Sequence, residues 1–167
     1  MLDLILNINI DAIRIFLYSM FPITELRISI PYFIIVEKLS WVKVFLFSIA
    51  GNIFIGIFVR YIISPLMLVF KKNPYLNKII TYILERTYTS SEKIKQYKTA
   101  GLILFIGIPL PFTGVWTGAL AAYLLSISKF YSFLGILFGV IISGIIVTLI
   151  SLTGLSISEF LIKIFCI

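Results

Sequence analysis

Five charged side chains stand inside long apolar stretches of this sequence: Asp11, Arg14, Glu25, Arg27 and Arg60. A charge within hydrocarbon costs roughly 2.5–3.5 kcal/mol on insertion scales, so each is a candidate for function. Glu25 and Arg27 are two apart in Pro22-Ile-Thr-Glu25-Leu-Arg27-Ile-Ser-Ile-Pro31, and in an extended segment that spacing puts both on one side. They can form a structural ion pair that holds a turn. Alternatively Glu25 exchanges a proton: burial favours the neutral acid, a neighbouring cation favours the ionised form, and a substrate anion that captured Arg27 would release Glu25 to protonate. The sequence contains no histidine, so a carboxylate is the expected proton carrier, and histidine triads and His-ligated metals are excluded. Arg60, near Ser64-Pro65, either points inward or snorkels to the headgroups. Asp11 and Arg14, at i and i+3, read as an intrahelical pair. A second candidate segment carries no charge: Pro109-Leu-Pro111-Phe-Thr113-Gly114-Val-Trp116-Thr117-Gly118-Ala119-Leu-Ala121-Ala122. Its hydroxyls, small residues and a helix N-terminus expected near Thr113 suit an anion, with Trp116 placed to stack on a substrate or anchor the interface. The same small residues also suit close helix packing.

The elements that position these residues must be built from an unusual composition. Of 167 residues, 60% are apolar and 13% charged, with a mean hydropathy of +1.13. Soluble domains run near 45–50% apolar and about 25% charged. The composition defines an integral membrane protein, and the net charge of +7 is grouped as a membrane protein needs it rather than for nucleic acid. Apolar stretches run over 4–36, 44–70, 100–127 and 130–152, with a weaker tail to 167. The polar block 71–99 holds seven lysines and arginines against two glutamates, which places it in the cytoplasm by the positive-inside rule. Asn73-Pro74 starts an expected interfacial amphipathic helix with an apolar stripe from Leu76 to Leu84. Thr89-Ser-Ser-Glu92 is a capping-box pattern for another short helix. The single cysteine, Cys166, rules out an internal disulfide or a Cys-x-x-Cys pair. Met1-Leu-Asp lacks a basic leader region, so the N-terminus is expected to be retained.

An internal repeat organises the rest. Phe21-Pro22-Ile23-Thr24 matches Leu110-Pro111-Phe112-Thr113 at an offset of 89. Each is followed by a short apolar arm, a turn with a lysine (Lys43; Lys129) and a glycine-containing apolar helix. Proline breaks at Pro22 and at Pro109-Leu-Pro111 make a hairpin of two arms easier to draw than one helix. The nine-residue arm 100–108 would reach only about 13 Å, against a hydrocarbon core of roughly 30 Å. A re-entrant hairpin fits this length, and a single kinked helix over 100–127 is the alternative. The expected fold is thus an all-α membrane protein of two inverted repeats. The first spans 1–70, with a re-entrant hairpin around Pro22–Pro31 and a transmembrane helix 44–70. The second spans 100–167, with a hairpin around Pro109–Gly118 and a transmembrane helix 130–152.

Glu25-Leu-Arg27 with Pro31, and the run from Pro109 to Ala122, resemble the two signatures of the small multidrug export protein family. Over nearly the whole chain the resemblance holds, with one departure: Ile28-Ser29 stands where the family usually has Gly-Ala. The family is similar in turn to the DedA superfamily, which implies inverted re-entrant hairpins and includes translocases of undecaprenyl phosphate. By this resemblance Glu25, Arg27 and the segment Thr113–Gly118 are the central-site candidates. The expected function is transport across the cytoplasmic membrane. Arg27 with Thr113, Gly114, Trp116, Thr117 and Gly118 would bind an anionic amphiphile or polyprenyl phosphate, Glu25 would couple to protons, and Arg60, Asp11 and Arg14 would be auxiliary. Export of drugs or small metabolites and a non-transport scaffold are the alternatives. Expected partners are membrane lipids, the substrate, protons and a second copy in a homodimer. No cofactor, metal or enzymatic activity is expected.

Overall fold

A computed structural model describes the backbone of residues 2–70, 92–110 and 113–165, and the side chains of 10–62, 97–110 and 113–154. The expected amphipathic helix over 76–84 and the residues Pro111 and Phe112 lie outside this set. Among the described residues every element is a helix: α1 (Leu2–Met20), α2 (Glu25–Pro31) continued by a π turn (Tyr32–Val36), α3 (Trp41–Phe70), α4 (Glu92–Gly107), α5 (Val115–Leu124) and α6 (Lys129–Phe165). The stretches Trp41–Ile62 and Lys129–Gly154, of 22 and 26 residues, reach about 33 and 39 Å at 1.5 Å per residue, enough to cross a bilayer.

The order helix, break, short helix, corner, long helix occurs twice. The corners agree in backbone geometry as well: Lys38 and Ser126 both have φ of 53°, a left-handed conformation that ends a helix abruptly.

Several boundaries differ from those read in the sequence. The arm expected over nine residues is a helix of sixteen, Glu92–Gly107, because Glu92, Lys93, Gln96 and Lys98 are good helix formers and nothing separates them from the apolar run. The capping-box helix and the apolar arm are therefore one element of about 24 Å. Pro31 lies inside helical structure, and the turn after it widens, with the N–H of Glu37 reaching the carbonyl of Tyr32 at 3.2 Å. A proline without an N–H and with its ring against the preceding carbonyl favours such a local register change. The segment around Glu25 is helical rather than extended, so its two-residue spacing does not put Glu25 and Arg27 on one face.

Two compact units make up the chain, one of residues 1–52 with 141–167 and one of residues 53–140. In the first, α1 packs on α2, and Gly51 of α3 lies so close to Ser19 and the carbonyl of Phe16 that a methyl group there would collide with both. In the second, a Cβ on Gly118 of α5 would meet Ile106 at 2.5 Å, and one on Gly139 of α6 would meet Ile106 at 2.7 Å. Glycine permits these approaches because it has no side chain. Large apolar side chains such as Phe54, Phe58, Leu149 and Ile150 remain exposed, a surface suited to lipid rather than water.

Candidate functional site

In the first unit the chain turns between Met20 and Glu25. The N–H of Glu25 bonds to the carbonyl of Phe21 at 2.9 Å, and the hydroxyl of Thr24 donates to the carbonyl of Tyr18. Glu25 then opens α2 with φ of 33° and 7% exposure. A non-glycine residue in the left-handed region is strained, and such strain persists only where the surroundings impose it. Arg27 is half-buried and interacts electrostatically with Glu25. One helical turn beyond Glu25, the buried Ser29 hydroxyl meets that of Ser48 at 3.0 Å.

This contact belongs to a buried polar cluster that the sequence reading missed. The Asn52 amide donates to the carbonyls of Ser19 (2.9 Å) and Ser48 (3.2 Å), and the Ser19 hydroxyl donates to the carbonyl of Phe16 at 2.8 Å. Three buried polar oxygens of the same unit, Asn52 Oδ1, Ser143 Oγ and Thr148 Oγ1, have no hydrogen-bond partner among the described residues. An asparagine at the centre of an apolar stretch was the available signal, since a buried amide needs partners.

Asp11 and Arg14 do face each other, but at 3.7 Å. Their nearer partners are Lys43, 3.0 Å from Asp11, and Glu37, 2.7 Å from Arg14. The expected intrahelical pair is present and is extended to a four-membered ionic chain linking α1, the corner before α3 and the first turn of α3. Arg14 also lies over the Phe33 ring at 5.8 Å.

In the second unit, Thr113 donates to the carbonyls of Ile108 (3.0 Å) and Leu110 (2.9 Å). Gly114 is the N-cap of α5, one residue later than the expected start, and its N–H donates to Thr117 Oγ1 at 2.9 Å. Both hydroxyls therefore shape the break, and Gly118 sits in the α4–α5 contact. Trp116 is half-buried.

Arg60 points inward. At 8% exposure, it donates from Nε to Ser132 Oγ (3.1 Å) and from a terminal nitrogen to the carbonyl of Ile127 (2.7 Å), and it lies 5.7 Å from the Tyr123 ring centre.

A chain whose described residues are all-helical, with two bilayer-length apolar helices and buried charge among them, is a membrane protein. Residues 25–146 match the profile of the family described as "Putative small multi-drug export protein", and the chain belongs to that family. Neither the curated proteins nor the solved structures contain a match to it.

Proposed function

We propose that the protein moves an anionic amphiphile, a polyprenyl phosphate being the leading example, across the cytoplasmic membrane together with protons. The observation that carries this reading is Glu25: a buried carboxylate in a strained conformation at a helix break, interacting with Arg27. Glu25 competes with an anionic substrate for Arg27. When the substrate neutralises Arg27, the carboxylate loses its compensating cation in a poorly solvated place and takes up a proton. When the substrate leaves, Arg27 favours release of that proton. Family membership supports export, and the polar cluster of Ser29, Ser48 and Asn52 supplies hydrogen-bonding groups one turn from Glu25.

The two similar series of elements are read as re-entrant hairpins in inverted repeats, as in secondary transporters with paired broken helices. The basic block 71–99 lies on the cytoplasmic side in this reading.

The test is transport by purified protein in liposomes with an imposed pH gradient, offering a short-chain polyprenyl phosphate and a lipophilic cationic dye in parallel. The expected result is movement of the phosphate and its loss in Arg27→Ala. Movement of the dye alone would establish drug export instead, and movement of neither would favour a scaffold.

A further inference from the structure

Arg60 is a buried cation whose own unit gives it only neutral partners, Ser132, the Ile127 carbonyl and the Tyr123 ring. Among the described residues it makes no ion pair. A buried charge without a counter-ion is costly, and the cost falls when an anion arrives. Beside it opens a groove of about 370 Å³ lined by Ile57, Arg60, Tyr61, Lys129, Phe130 and Phe133, within the usual range of small-ligand pockets, roughly 300–1,000 Å³. Lys129 stands at its rim, exposed, with its ammonium 4.9 Å from the Tyr61 ring centre. The two cations thus share one groove whose remaining lining is aromatic and aliphatic.

Charge and lining together select the occupant. Arg60 lies on α3 and Lys129 is the first residue of α6, and two cations beside an aromatic and aliphatic lining suit an anionic headgroup that carries an acyl chain. Basic pockets between membrane helices suit phosphate headgroups.

We infer that the Arg60–Lys129 groove binds an anionic phospholipid of the surrounding bilayer, its phosphate between the two cations and the upper part of an acyl chain along Ile57, Phe130 and Phe133. The groove's lining does not include Glu25 or Arg27, and its occupancy is measurable without transport.

The test is binding of phosphatidylglycerol, phosphatidylcholine and inorganic phosphate to the detergent-purified protein, read by native mass spectrometry and by the shift in melting temperature. Phosphatidylglycerol is expected to bind and raise the melting temperature, phosphatidylcholine much less. Lys129→Gln, at an exposed position, should weaken phosphatidylglycerol binding roughly fivefold, the loss of about one cation facing the headgroup, and Arg60→Gln should abolish it. Should Arg60→Gln fail to fold, Lys129→Glu decides, since reversing the rim charge should remove binding while the protein still folds. Equal binding of both lipids, unchanged binding in Lys129→Glu, or the same shift with inorganic phosphate would overturn the assignment.

Discussion

Asn52 illustrates how a single polar side chain organises the apolar interior. Its amide ties the carbonyls of Ser19 on α1 and Ser48 on α3, so Asn52→Ala should cost about 1–3 kcal/mol, chiefly because the buried Ser19 carbonyl loses this donor while that of Ser48 keeps its helical N–H. Reversible unfolding in mixed detergent measures it, and an unchanged midpoint would show that the cluster adds nothing to stability. The sequence made Glu25, Arg27 and Arg60 visible because charge in an apolar stretch is conspicuous. It did not reveal what holds Arg60, since Ser132 and Ile127 are 72 and 67 residues away in the chain and neither residue type stands out. Nor did it reveal that Asp11 and Arg14 look outward to Lys43 and Glu37, because contacts between helices leave no mark in a helical spacing.

At the scale of elements, the long apolar helices and the proline breaks were legible, since hydropathy and the missing proline N–H act locally. The extent of a helix across polar and apolar sequence was not. The capping-box pattern Thr89–Glu92 marked a helix start, but the helix runs on from Glu92 to Gly107 as one element, because helix propensity does not require apolar residues. Glycine roles divided in the same way. Gly118 lies against Ile106, so Gly118→Val should destabilise by about 1–3 kcal/mol through overpacking. Gly101, inside α4 with open space around its Cα, should gain about 0.5–1 kcal/mol on mutation to Ala, from reduced unfolded-state freedom. Melting temperatures of the two variants in one detergent compare them directly. If Gly118→Val proved as stable as the parent, the close approach of α4 and α5 would be wrong.

For the whole molecule, the charge asymmetry sets the expected orientation: 14 basic residues against 7 acidic ones, with the excess concentrated in the block 71–99. A Cys166→Ser chain carrying a new cysteine at Ser90 should react with a membrane-impermeant maleimide in inverted vesicles and not in intact cells. The reverse pattern would invert the orientation. Family membership establishes the broad class, while the coupling rests on one buried carboxylate. Proton flux therefore tests the account most directly. In liposomes loaded with a pH-sensitive dye, adding the polyprenyl phosphate to wild-type protein should move protons in step with the lipid. Glu25→Gln should bind the lipid and move no protons, whereas equal proton flux in Glu25→Gln would contradict the role assigned to Glu25.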